Sequence, residues 1–174
     1  MQIETPRLIL RPMRAEDAQQ VYAYSRQPGV GAAAGWKPHD SIEETRAVMR
    51  EVYLGKPDIY ALVLRDEGCV IGSVGLMPDP RRENPRSRML GYAMGESYWG
   101  RGLMTEAVDA LIKNTFSGTD VDLLSAYCYP FNSRSRRVLE KCGFRYDGCL
   151  RGAEKRYDGC LLDCECFSLL RGEV

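Results

Sequence analysis

Gly100 and Gly102 sit in the run Tyr98-Trp99-Gly100-Arg101-Gly102-Leu103-Met104-Thr105-Glu106-Ala107, where a turn gives way to a helical spacing of apolar residues. Glycine lacks a β-carbon, so backbone N–H groups at such a turn can approach an anion closely. The first turn of the following helix adds its unpaired N–H groups and its positive dipole end. The segment Gly100, Arg101, Gly102, Leu103, Met104 and Thr105 therefore suits a pyrophosphate, held without help from a basic side chain. Taken alone, the same glycines would serve equally well to permit a tight turn. Asn132 and Ser135 lie three apart at the start of a second helical stretch, so their side chains share a face. An Asn in that position also reads as a helix cap. Arg134, Arg136 and Arg137 beside them fit either phosphate contacts or a solvated helix face.

Other chemistries find less support. The chain has 7 cysteines and a single histidine, His39. Cys160, Cys164 and Cys166 cluster, but a zinc site wants four ligands at recognisable spacing, and His39 is far away in sequence, so no metal is expected. Cys164, Cys166 and Ser168 alternate with Glu165, Phe167 and Leu169, the pattern of a strand with two faces. No histidine stands in a motif near Cys128 or Cys142, so an acyl-cysteine mechanism lacks its base. The odd cysteine count, and charged residues that interrupt the apolar ones from Met1 to Arg14, point to reduced thiols and a cytoplasmic protein. With 24 basic residues against 24 acidic ones, no net field draws the chain to nucleic acid or to an anionic membrane.

The 174 residues, 44% of them hydrophobic, suffice for one buried core, and residues 1–174 are read as one domain. Arg7 to Arg11 alternates as a first strand, and Ala15 to Tyr24 carries a helical spacing at Ala18, Val21 and Tyr22 that breaks near Pro28-Gly29. Gly31 to Asp40 reads as a loop, and Ser41 with Glu44 resembles a capping box opening a helix to about Tyr53. Ile59 to Leu64 and Val70 to Leu76 form a hairpin over Asp66-Glu67-Gly68, and Met89 to Met94 is the next strand after a polar loop. Met104 to Phe116 is helical, Leu123 to Tyr127 a short strand, and Ser133 to Cys142 a helix closed by Gly143. Phe144 to Gly148 and Leu161 to Leu170 read as strands around an irregular charged loop. Strands grouped early, then alternating helix and strand, imply a mixed α/β sheet with helices on its faces.

Four of these segments, in order along nearly the whole chain, resemble the GNAT superfamily of N-acetyltransferases in its RimJ/RimL-like branch. They are Thr5-Pro6-Arg7-Leu8-Ile9-Leu10-Arg11, Gly91-Tyr92, the glycine run, and Asn132-Ser133-Arg134-Ser135-Arg136-Arg137-Val138-Leu139-Glu140-Lys141-Cys142-Gly143-Phe144. Ser97 stands where the family pattern has Arg or Gln. The resemblance implies a six- to seven-stranded, mostly antiparallel sheet, splayed between its fourth and fifth strands and flanked by helices. It also implies a metal-free transfer of acetyl from acetyl-coenzyme A directly to an amine, on a protein N-terminus or a small molecule. Self-association as a homodimer is left open.

By the same resemblance, Ala93 and Met94 offer backbone groups to the pantetheine arm, Asn132 holds that arm, and Ser135 protonates the departing thiolate. The Gly95-Glu96-Ser97 break fits a bulge that leaves a backbone N–H for the oxyanion. The acceptor site is expected over Trp36, His39 and Tyr127. At pH 7 an α-amine costs about 1.4 kcal/mol to deprotonate and a lysine about 4.6. Met89 to Met94 carries no carboxylate to help, so an amine of modest pKa is favoured, with Glu96 either its base or a solvated loop acid. A non-catalytic acyl-coenzyme A sensor is the alternative, and the presence of both Asn132 and Ser135 favours the enzyme.

Overall fold

In the computed structural model, which describes residues 2–174, the strands nearest the N-terminus are antiparallel neighbours. β1 (Ile3–Glu4) pairs with β2 (Leu8–Pro12), followed in sequence and in space by β3 (Ile59–Leu64), β4 (Val70–Met77) and β5 (Ser87–Met94). β6 (Leu123–Cys128) joins β5 in parallel. The long hairpin of β7 (Arg145–Lys155) and β8 (Leu161–Leu170) then folds back, so that β8 pairs with β6 and β7 forms the edge. The sheet has 8 strands in the order β1-β2-β3-β4-β5-β6-β8-β7. That exceeds the expected six to seven because Ile3–Glu4, two residues without a periodicity of their own, pair with Leu10 and Ile9.

Strand alternation sends side chains to two separate cores. On one face Leu8, Leu10, Leu62, Val74 and Leu90 pack with Ala107, Val108, Leu111 and Ile112 of α4 (Leu103–Gly118) and with Leu139 of α5 (Ser133–Lys141). On the other, Ala61, Val63 and Ala93 pack with Val21 and Tyr24 of α1 (Ala18–Ser25) and Val30 of α2 (Pro28–Ala34). Tyr24, rather than Tyr22, is the buried tyrosine of α1.

α2 corrects the expected loop over Gly31 to Asp40, whose first residues are helical. Pro28 stands at the helix start, where its missing N–H costs nothing, and Gly35 ends it at φ 87°. α3 (Ile42–Val48) begins at Ser41, whose hydroxyl accepts from the Glu44 N–H, and runs on as a π-helical turn over Met49–Tyr53. α5 ends as its sequence implies: Gly143 takes φ 86°, and the Phe144 and Gly143 N–H groups bond the Leu139 and Glu140 carbonyls at 3.0 and 3.2 Å. β7 continues through the segment read as an irregular loop. It is an exposed edge strand with register shifts between Tyr146 and Gly148 and between Leu150 and Glu154, so it has no clean apolar alternation to read.

Candidate active site

The parallel ladder between β5 and β6 stops at Leu90 and Ala126, yet both strands run on, to Met94 and Cys128. The strands diverge from that point. A cavity of about 830 Å³ fills the gap and extends from the glycine turn to the far face of the sheet.

At one end lies the start of α4. Gly100 and Gly102 take φ 76° and 75°, conformations that strain any other residue, and Gly102 is the N-cap. The first helical bond runs from the Glu106 N–H to the Gly102 carbonyl at 3.1 Å, so the N–H groups of Leu103, Met104 and Thr105 have no intrahelical partner. Gly100, Gly102 and those three residues line the cavity; Arg101 does not, and its guanidinium lies 5.6 Å from the Tyr98 ring. The turn is anchored from outside: Arg7 Nη1 donates to the Arg101 carbonyl at 2.9 Å, and Glu106 accepts from Thr5 Oγ1 at 2.6 Å and from the Arg7 N–H at 2.9 Å. Burial pushes the Glu106 carboxyl up, but these hydrogen bonds and the Arg7 charge outweigh it and hold the group below its ordinary range.

Three cations of α5 share this end, Arg134, Arg137 and Lys141, on one helix face. Arg134 stacks on the Trp99 ring at 4.0 Å, and Trp99 Nε1 donates to the Met94 carbonyl at 2.7 Å. Arg136 belongs elsewhere, paired with Glu140 and Glu165 at 2.9 and 3.0 Å.

In the middle of the gap Ser135 Oγ lies 2.8 Å from Tyr92 Oη. Burial pushes the Tyr92 phenol well up, partly offset by Ser135. Asn132 caps α5: its Oδ1 accepts from the Ser135 N–H, and its Nδ2 donates to the Ala33 carbonyl, both at 3.2 Å. The backbone of β5 alternates. Gly95 donates to the Ile71 carbonyl at 2.9 Å, which makes residues 73 and 93 another hydrogen-bonded pair of the β4–β5 ladder. Ala93 thus spends its backbone groups on β4, a correction to its expected role, while the N–H groups of Tyr92 and Met94 face the gap. In place of the expected bulge at Gly95-Glu96-Ser97, the β4–β5 register runs unbroken from Met77–Met89 to Gly72–Met94 and on to the Gly95 N–H on the Ile71 carbonyl, where the strand ends. A short 3-10 turn over Glu96–Tyr98 makes the break instead.

On the far side Trp36 and Tyr127 line the cavity as expected. Tyr127 donates to Asp79 at 2.8 Å beneath the Arg81 guanidinium, which lies 4.4 Å from its ring. Glu154 lines it as well, accepting from Arg81 Nη2 at 2.7 Å and from the Tyr129 hydroxyl at 2.8 Å. Glu96 and His39 do not line the cavity. The Glu96 carboxylate accepts from the Gly29 N–H at 2.9 Å and so caps α2. His39 is buried with Nδ1 2.9 Å from Thr45 Oγ1, and burial lowers its pKa. All 7 cysteines are free, and no cluster of three metal-ligating side chains occurs among the described residues. Burial pushes the Cys128 and Cys142 thiols up to about 12, so neither is a thiolate nucleophile at neutral pH.

A glycine turn at a helix start, below a gap between two parallel strands, agrees with the sequence comparison. Residues 7–145 match the family model described as an acetyltransferase (GNAT) domain. The chain belongs to that family. It is 32% identical over 174 residues to an uncharacterized N-acetyltransferase, p20, of Bacillus licheniformis, covering 97% of this chain and 96% of that one. It is 31% identical over 94 residues to the ribosomal protein uS5-alanine N-acetyltransferase of Escherichia coli, covering 54% of this chain and 48% of the other. Among solved structures, a GNAT-family acetyltransferase from Bacillus anthracis superposes with a TM-score of 0.89 at 22% identity, over 99% of this chain and 100% of that one. This protein is therefore a GNAT acetyltransferase with the fold of that family, and acetyltransferases of this family draw on acetyl-coenzyme A. No helix among the described residues is long and apolar enough to cross a membrane.

Within this GNAT domain Tyr92, Trp99, Arg81 and Glu154 also line the cavity, although the sequence alone did not mark them as site residues. Tyr92 and Trp99 lay inside motifs already singled out. Glu154 lay in the charged stretch 149–160, where nothing in the local pattern distinguishes it from its exposed neighbours.

Proposed function

We propose that the protein transfers acetyl from acetyl-coenzyme A to a primary amine by direct attack on the thioester. The observation that carries the reading is the early end of the β5–β6 ladder, which opens a slot leading from the unpaired N–H groups of α4 to Ser135 on one side and Glu154 on the other. Leu103, Met104 and Thr105 hold the pyrophosphate through their N–H groups, with Arg134, Arg137 and Lys141 supplying positive charge beside it. The pantetheine arm fits between β5 and β6, where the Tyr92 and Met94 N–H groups replace part of the missing ladder.

The cofactor supplies an activated acyl group and a good leaving thiolate. Glu154 receives the proton that the amine nitrogen loses as it bonds to the acyl carbon, directly or through one water. The N–H groups facing the gap stabilise charge on the thioester oxygen; one such donor is worth a few kcal/mol. As the carbon–sulfur bond breaks, Ser135 gives its proton to sulfur and is reprotonated through Tyr92 or solvent. The products are an N-acetyl amide and free coenzyme A. A sensor of acyl-coenzyme A would need the phosphate turn but not the hydroxyl pair, so the Ser135–Tyr92 contact favours turnover. The reduced thiols and the cofactor agree with action in the cytoplasm. The test is release of coenzyme A that depends on added amine; tight acetyl-coenzyme A binding with no such release across an amine panel would leave the sensor.

A further inference from the structure

Gly91 occupies the vertex of the gap. It is the first β5 residue beyond the last pairing with β6, and it stands opposite Gly75 of β4. Nothing local calls for glycine there. Its φ is not among the left-handed ones, and an added β-carbon would touch only the end of the flexible Met77 side chain, Cε at 3.2 Å. Gly75 is different: a β-carbon there would meet Ile59 Cγ1 at 2.9 Å and the Asp58 carbonyl oxygen at 3.0 Å, so strand packing accounts for it. The room left by Gly91 belongs to the cavity, which it lines together with Met77 and Met89.

Trp36, Val52, Ile59, Met77 and Met89 give the cavity much of its apolar lining. Glu154 is the one carboxylate lining the cavity among the described residues, and its two oxygens already hold Arg81 and Tyr129. One such group can take the proton of one amine. A second ammonium in the slot would lose its hydration against apolar walls and the Arg81 guanidinium, with no carboxylate to replace the lost water.

Resting on the acetyl-transfer reading, we infer that Gly91 floors the acceptor slot and that the acceptor is a monoamine, one primary amine on an uncharged apolar or aromatic body. A free arylalkyl amine and a peptide N-terminus with a small apolar first residue share this chemistry. A polyamine does not.

Initial rates at saturating acetyl-coenzyme A are measured with 2-phenylethylamine, an uncharged peptide beginning with alanine, and spermidine. The same is done for Gly91→Ala and Gly91→Val, with acetyl-coenzyme A affinity followed by calorimetry. At least one of the two monoamines is expected to exceed spermidine in kcat/KM by about tenfold or more, and the better of them identifies the source. Gly91→Val is expected to lower that kcat/KM by roughly ten- to a hundredfold, the scale set by one or two methyl groups in a close-fitting pocket, with Gly91→Ala in between. Acetyl-coenzyme A affinity stays within about threefold, a change well under the 1.4 kcal/mol that a tenfold shift represents. Preference for spermidine, full acceptor use by both variants, or loss of cofactor affinity in both overturns the inference and leaves acetyl transfer standing. Cofactor binding without turnover of any of the three amines overturns both.

Discussion

Ser135 Oγ and Tyr92 Oη lie 2.8 Å apart, joining the first turn of α5 to the unpaired stretch of β5. A hydroxyl that matters only when charge builds on sulfur lowers turnover when removed, whereas one used equally in the ground state changes affinity. Ser135→Ala is therefore expected to cut kcat by roughly ten- to a thousandfold, the range for loss of a general acid. The Kd of acetyl-coenzyme A should hold. Tyr92→Phe, which leaves the serine in place, should have the smaller effect on kcat. Full turnover with lost affinity in Ser135→Ala would make it a binding residue.

Gly102 combines a left-handed backbone with a place at the helix start where the pyrophosphate is proposed to sit. Gly102→Val should weaken acetyl-coenzyme A binding by more than about tenfold, 1.4 kcal/mol or more. Calorimetry on the purified variant checks this, with a thermal melt to separate strain from lost binding. A folded variant with unchanged affinity contradicts the proposed phosphate site.

Glu154→Gln keeps the shape of the carboxylate and its contact with Tyr129 but cannot accept the amine's proton. Its kcat should fall by roughly a hundredfold, within the usual span for a lost general base. Glu96→Gln should leave kcat near wild type, because Glu96 caps α2 outside the cavity. The reverse ranking would return the base to Glu96.

The glycine turn at the α4 end of the cavity was legible because its pattern is local. Two glycines before a helix, and an Asn three residues before a Ser, declare themselves within ten residues. The opposite end was not, because Glu154, Arg81 and Tyr129 come from separate segments and meet only when the β7–β8 hairpin folds back so that β8 pairs with β6. Local pattern also misplaced His39, which is buried under α3 rather than set at the cleft. Strand alternation, invisible until pairing partners are known, assigned the Ala93 backbone to β4 and left the Tyr92 and Met94 N–H groups for the gap. α2 was hidden by Pro28-Gly29, read as a stop although proline at a first helical position is a start.

Glu106 ties α4 to the N-terminal strands, and its carboxyl is held below its ordinary value of 4.5. A group whose folded pKa is depressed stabilises the fold above its unfolded pKa, and that contribution is lost as the pH falls through the folded one. Glu106→Gln should cost about 1–3 kcal/mol at pH 7, as for a broken, partly buried charge-assisted network. The difference between variant and wild type should shrink below about pH 4, as the wild-type carboxylate protonates. Denaturant titrations at neutral and acid pH measure both, and a pH-independent difference would contradict the assignment.

Direct transfer is tested most closely by intact-protein mass spectrometry with isotopically labelled acetyl-coenzyme A, first alone and then with an accepted amine. The account predicts no acetyl on the protein without the amine, then labelled N-acetyl amine and free coenzyme A formed in equal amounts. Stoichiometric acetyl on a cysteine or on Ser135 before the amine is added, passed on afterwards, would contradict it.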